Sequence, residues 1–420
     1  MFTRIQARRF RCLQACDQPV DRLAALVGPN ASGKSTFLDV IGLLGDIVGQ
    51  RADVAAVLGE RSGDFRKLLW MGEGTSFELA LEARLPDSVR AALGNGKRNS
   101  EGIRYEVAFG IDEDGNEVGI EHEALYLLAD LTVDRIAPTD LFPRESLAAT
   151  SILTQRKPQG WEPLLRKNTR GNDNFYAHGS KKFNPSFRLG RSKSALANLP
   201  EDEESFPAAI WFRGVLERSV QALTLSSLAL RRPSPPGLGL RFKTDGSNLP
   251  WVVARARTNS TLFQAWLAHV RTALEDVVDI DTVERPEDKH RYLVVKYRNG
   301  AEVPSWLLSD GTLRLLALTL PAYLRDMDGV YLIEEPENGI HPRAIETVIQ
   351  SLSSLYSGQV LLATHSPIAL NIVDPAHILC FAKNKDGATD IVAGDRHPAL
   401  REWKRGAPDL GTLFAAGVLS

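Results

Sequence analysis

The sequence predicts an α/β fold with a mixed central sheet, an antiparallel β layer and a large, mainly helical insertion. Three observations predict it. Short apolar runs at 22–27, 330–333 and 359–363 have the length and composition of strands buried on both faces, as in a parallel sheet. Longer stretches at 75–85, 103–111 and 118–128, separated by Gly, Asn and Asp turn signals, read as antiparallel strands. From about 132 to 283 the pattern changes to helices and polar loops. With 420 residues, 43% of them hydrophobic and 24% charged, the chain can bury a substantial core and is neither disordered nor fibrous. Fifty Lys and Arg oppose 52 Asp and Glu, a net charge of −2. This excludes a polycation that coats nucleic acid, so any basic surface must be local.

At the N-terminus, the arginines of 4–11 are followed by no apolar run of a signal peptide. Cys12, Cys16 and Cys380 are an odd number and too few to staple the chain, which fits a reducing, cytoplasmic setting. Cys12 and Cys16 lack the further Cys or His partners of a zinc site. No stretch reaches the roughly 20 apolar residues of a membrane span, so no membrane contact is expected.

The next element carries chemistry. Gly28-Pro29-Asn30-Ala31-Ser32-Gly33-Lys34-Ser35-Thr36 matches the phosphate-loop pattern G-x-x-x-x-G-K-[ST] in full. The apolar strand precedes it, and Phe37, Leu38, Val40, Ile41, Leu43 and Leu44 follow at helical spacing. A P-loop NTPase is therefore expected. Gly28 and Gly33 let backbone N–H groups turn inward as an anion nest, and the helix starting near Lys34 offers its positive dipole end. Lys34 adds a point charge at the β- and γ-phosphates, and Ser35 a hydroxyl ligand for Mg2+. Gly28, Asn30, Ala31, Ser32, Gly33, Lys34, Ser35 and Thr36 are thus the expected phosphate-binding residues, with ATP as substrate.

The insertion contains seven prolines between Pro138 and Pro207 and no sustained heptad repeat, which disfavours a coiled-coil arm. Its basic stretch, 156–193, has ten Lys and Arg against Glu162 and Asp173, an excess of about eight charges. Lys181, Lys182, Arg188 and Arg191 could follow the backbone of DNA or RNA while Trp161, Phe175, Tyr176, Phe183 and Phe187 stack on bases. The alternative is a solvated loop balanced by the acidic run 201–204. Beyond a Pro-rich connector at 231–237, a helix over 262–277 places Phe263, Trp266, Leu267, Val270 and Leu274 on one core-facing stripe.

The last third supplies the second half of a hydrolytic site. The strand at 330–333 runs into Glu334-Glu335-Pro336-Glu337. Glu334 at the strand end is assigned to the metal, and Glu335, pointing the other way, to polarising the attacking water. The strand 359–363 runs into Thr364-His365-Ser366, placing His365 on the edge where parallel sheets bind ligands. His365 could donate to the γ-phosphate or to the water.

Together with Leu308-Ser309-Asp310-Gly311-Thr312-Leu313-Arg314, these four motifs, in this order, resemble ABC-type ATPase heads. Within that superfamily, Leu308–Arg314 and the run Glu334-Glu335-Pro336-Glu337-Asn338-Gly339-Ile340-His341-Pro342 resemble the RecF-like and OLD-like "AAA family" predicted ATPases of bacteria, as does Asp245-Gly246-Ser247-Asn248-Leu249. Glu334 departs from the commoner Asp. The resemblance implies that Ser309, Asp310 and Gly311 act in trans on a partner's nucleotide, and that a D-loop containing Asn338 lies at the seam of a homodimer or higher even oligomer. It further implies conformational work on a separate nuclease or toxin chain, in bacterial anti-phage defence. A RecF-like DNA-repair ATPase and a nucleotide-gated scaffold with little turnover are the alternatives. The expected division is an N-terminal head part (1–131), an insertion (132–283) and a C-terminal head part (284–420).

Overall fold

The computed structural model describes the chain except 50–52, 95, 113–116, 132–140, 146–150, 169, 180–183, 402–411 and 413–420. Seventeen strands occur among the described residues. In chain order they are β1 (Phe2–Phe10), β2 (Leu13–Pro19), β3 (Leu23–Val27), β4 (Ser76–Arg84), β5 (Gly102–Ile111), β6 (Val118–Leu128), β7 (Trp161–Arg166), β8 (Asp173–Phe175) and β9 (Ser186–Phe187). They continue as β10 (Val220–Leu223), β11 (Val277–Glu284), β12 (Arg291–Tyr297), β13 (Glu302–Pro304), β14 (Val330–Glu334), β15 (Gln359–Ala363), β16 (Ile378–Lys383) and β17 (Thr389–Ala393). An antiparallel sheet has the order β2-β1-β4-β5-β6-β7-β8-β9, the central sheet β10-β14-β15-β3-β16-β17, and a small third sheet β11-β12-β13. The central sheet is parallel from β10 to β16, and β17 closes it antiparallel.

The inner strands β3, β14 and β15 are apolar over most of their length because both their faces are covered. Ala24, Leu26, Val330, Leu332, Leu361 and Ala363 face a core shared with the antiparallel sheet and the helix Lys34–Gly49. Their alternates Ala25, Val27, Tyr331, Ile333, Val360 and Leu362 face a second core built with the helices Leu249–Arg257, Ser260–Arg271, Asp310–Thr319 and Pro342–Ser353. Buried Gln359 ties the layers together. Its side chain accepts from Phe2 N (3.0 Å) and donates to Phe2 O and Asp21 O (2.8 Å each).

Register sets the functional edge. Glu334 pairs with Ala363, and Ala363 with Leu26, so β14, β15 and β3 end level. The phosphate loop, the Glu pair and Thr364-His365-Ser366 therefore emerge side by side at the carboxyl ends of parallel strands, where such sheets bind ligands.

The middle of the chain departs from the expectation in detail. Among the described residues, helices of the 132–283 segment begin at Pro207, whereas β7, β8 and β9 before it extend the antiparallel sheet. These three strands are too short to show alternation and, unlike β3, β14 and β15, are not continuous apolar runs. The helix expected at 262–277 runs Ser260–Arg271, capped by Asn259, and Val277 already starts β11. Phe263, Trp266, Leu267 and Val270 are buried as expected. The Asp245–Leu249 element is a structural lock. Fully buried Asn248 accepts from Lys243 N (3.0 Å) and donates to Gly239 O (3.0 Å) and Arg241 O (2.6 Å).

Candidate active site

The phosphate loop folds tightly because the strands behind it leave no room for side chains. Gly28 (φ +151°) and Gly33 (φ +108°) occupy backbone conformations that L side chains rarely adopt. A Cβ would lie 2.3 Å from Phe381 O at Gly28 and 2.4 Å from Thr389 Oγ1 at Gly33. The loop, with Glu334, Glu335 and His365, lines a cleft of about 600 Å³. Lys34, 7% exposed, donates from Nζ to Gly28 O and Pro29 O (2.9 Å each). Burial lowers its pKa, and Glu335, Glu334 and Glu337 act against that shift.

Across the cleft, Ser35 Oγ donates directly to Glu334 Oε2. The two oxygen groups expected at a metal are therefore neighbours, and hard oxygen donors suit Mg2+. No cluster of three or more His, Cys, Asp or Glu with ligating geometry occurs among the described residues. Glu335 leaves the strand at φ +49°, uncommon for a non-glycine residue, while its N–H still pairs with Ala363 O (2.8 Å). That turn sends adjacent carboxylates to different partners. Glu335 Oε2 accepts from Asn338 Nδ2. Glu337 Oε1 accepts from Thr364 Oγ1 (2.8 Å) and His365 N (2.7 Å), fastening the turn after β14 to the segment after β15. Burial, followed by the Lys34 charge, lowers the His365 pKa, so its imidazole is neutral at pH 7.

The signature residues do not line this cleft. Ser309 caps the helix Asp310–Thr319, accepting from Thr312 N (3.1 Å), and both Ser309 and Asp310 are exposed. Asp310 is held by Arg231 (2.5 Å), which lowers its pKa. Gly311 packs against the turn after β14, where a Cβ would lie 2.6 Å from Gly339 O. Beside the signature, Trp306 and Leu307 are 42% and 70% exposed.

The residues singled out in the basic stretch separate. Lys181 and Lys182 lie outside the described residues, as does Phe183. Arg188 is exposed, whereas Arg191 is half-buried, donating to Gly110 O (3.2 Å) beside Glu121 (3.7 Å). Three of the rings expected to interleave with the charges pack on protein instead. Phe175 is buried and stacks on Phe187 (4.9 Å), and Trp161 packs on Tyr126 (5.7 Å). Charge balance is local too. Lys167 pairs with Asp173 (3.3 Å) and Lys97 with Glu162 (2.9 Å), while Glu201 of the acidic run takes Arg213 (2.6 Å).

Comparison with known proteins matches residues 23–371 to the family described as "AAA domain, putative AbiEii toxin, Type IV TA system". The chain belongs to that family. It is 50% identical over 48 residues to an OLD nuclease of Thermus scotoductus, covering 11% of this chain and 9% of that protein. It is 30% identical over 115 residues to the Retron Vc95 probable ATPase of Vibrio cholerae, covering 24% and 22% of the two chains. The matches thus span under a quarter of those relatives. Among solved structures, an SMC head bound to the C-winged helix domain of ScpA superposes with a TM-score of 0.52 at 12% identity, covering 93% of this chain and 97% of that one. This likeness shows the fold. Family and fold together make the chain an AAA-family ATPase with the fold of an ABC-type head.

In this ATPase head, four contributors escaped sequence reasoning. Glu337 is the third acid of Glu-Glu-Pro-Glu, and that spacing was its only signal. Arg11 and Cys12, from the turn between β1 and β2, line the cleft through tertiary packing alone. Thr389, behind the loop, has no local sequence signal.

Proposed function

We propose that two copies of this head close around two ATP molecules, each copy presenting its signature to the other's phosphate loop, and that hydrolysis reopens them. The observation carrying this reading is the separation just described. Ser309, Asp310 and Gly311 form a helix N-terminus, exposed at Ser309 and Asp310, a good anion site away from their own chain's phosphate cleft. Exposed Trp306 and Leu307 beside it are surface that a second copy would cover.

In each cleft the loop N–H groups and Lys34 bind the phosphates, and Ser35 with Glu334 would hold Mg2+. The ion, when bound, neutralises phosphate charge. Glu335 accepts a proton from the attacking water, positioned by Asn338. His365, kept neutral by burial, hydrogen-bonds the water or γ-phosphate. Glu334 supports this role despite its extra methylene, because it reaches Ser35 Oγ directly.

Mixing two inactive variants tests the trans arrangement. Lys34→Ala lacks phosphate binding and Ser309→Arg lacks a working signature, so each alone is inactive. Mixed, they form one composite site, and activity returns to about a quarter of wild type if partners exchange freely. No recovery in a mixture shown to heterodimerise would refute the reading.

The family description and the names of the two relatives support a role in bacterial antiviral defence, with a separate nuclease or toxin as effector. On this reading the 132–283 insertion, between head parts 1–131 and 284–420, carries partner recognition through its residues outside β7–β10, which belong to the head's sheets. Among the described residues singled out for nucleic-acid contact, Arg188 is the one whose exposure supports that role.

A further inference from the structure

The hairpin β16–β17 lies beyond residue 371, where the family match ends, yet it forms the back wall of the phosphate loop. Thr389, 5% exposed, donates from Oγ1 to Ser32 O (2.8 Å) and from its backbone N–H to Cys12 O (3.0 Å). In a trans peptide the C=O and the following N–H point in opposite directions. Drawing the Ser32 carbonyl back to Thr389 therefore aims the Gly33 N–H forward, toward the cleft. That N–H donates to no backbone group among the described residues.

The next residue is held from the other side, since successive strand side chains point to opposite faces. Asp390 accepts from Arg144 N (2.7 Å), Nη2 (2.7 Å) and Nε (3.1 Å), and Arg144 Nη2 also reaches Ile391 O (3.1 Å). Phe142 packs edge-on against His397 just past the hairpin (4.9 Å). A segment of the insertion thus grips β17 one residue from the contact that sets the loop.

We propose that Thr389 is a positioning residue for the phosphate loop, and that the Arg144–Asp390 clamp links the insertion to it. A partner that pulls 141–145 away from β17 would relax the Ser32–Gly33 peptide and weaken ATP binding. This rests on the reading of Gly28–Thr36 as the phosphate site.

Thr389→Val keeps the side-chain shape and removes the hydroxyl, while Thr389→Ser keeps the hydroxyl. Binding of a non-hydrolysable ATP analogue to the full chain, with KM and kcat for ATP, separates positioning from simple destabilisation. Thr389→Val is expected to weaken analogue binding and raise KM about five- to tenfold, the value of one hydrogen bond, with kcat within about twofold. Thr389→Ser restores both. Arg144→Ala weakens binding about threefold, and adds nothing in the Thr389→Val background because it acts through the same strand. Analogue binding by Thr389→Val within twofold of wild type would overturn the positioning role, and an additive effect of Arg144→Ala would overturn the link. A wild-type chain that bound no analogue would instead overturn the phosphate-site reading itself.

Discussion

Replacing Glu335 by Gln removes the proton acceptor and little else. Its backbone N–H bond to Ala363 O is independent of the side chain, and the Gln carbonyl can still accept from Asn338 Nδ2. The half-exposed position and its φ of +49° are as tolerable for Gln as for Glu, so stability should change by no more than about 0.5 kcal/mol. Loss of a general base slows turnover about 10²- to 10⁴-fold, or about 3–5.5 kcal/mol of barrier. ATP binding should hold or tighten. Glu335 is the largest of the carboxylate influences on Lys34, and removing its charge lessens repulsion of the phosphates. A single-turnover phosphate-release assay reads the chemical step, equilibrium dialysis reads binding, and sedimentation with ATP reads an accumulating dimer. Phosphate release by Glu335→Gln within threefold of wild type would refute the assignment. The His365 pKa supplies an independent check: Glu335 raises it, so the imidazole of the variant should titrate at lower pH by NMR.

Three further outcomes follow from the same contacts. Glu337→Ala deletes the acceptor for Thr364 Oγ1 and His365 N, each a charge-assisted bond, so urea unfolding should show a loss of about 2–4 kcal/mol together with reduced kcat. His122, His178, His269, His365 and His397 all have pKa values lowered by burial. The unfolded chain therefore binds more protons below pH 6.5, and stability present above that pH should fall as the pH drops through the folded-state values. Urea midpoints at pH 7.5 and 5.5 check the sign. If the head binds DNA, Arg188→Ala should reduce the slope of log affinity against log salt by about one, whereas Arg191→Ala, whose side chain is tied to Gly110 O, should mainly lower the melting temperature.

Much of the site was legible because its chemistry is written in contiguous residues. Phosphate binding needs glycines, a lysine and a hydroxyl in one short loop, and Gly28–Thr36 states that need directly. The acids after 330–333 and the histidine after 359–363 were legible for a related reason: buried parallel strands are apolar throughout, so a polar residue at their ends marks the sheet's ligand edge. The antiparallel strands at 75–85, 103–111 and 118–128 were long enough to show their pattern, and the structure has β4, β5 and β6 there. What the sequence by itself determined is therefore the fold class, the ATPase family and the contiguous motifs of the phosphate cleft.

Only the tertiary structure decided which side chains are free to act. Trp161, Phe175 and Phe187 look the same in sequence whether they stack on bases or on one another, and packing put them against protein. Glu337 reads as one more acid until it holds His365. Thr389 lies 357 residues from the carbonyl it holds. The physical reason is common to all three. Local chemistry is set by neighbours in the chain, whereas partners drawn from distant segments are chosen by burial, which acts on the whole fold at once and leaves no local pattern.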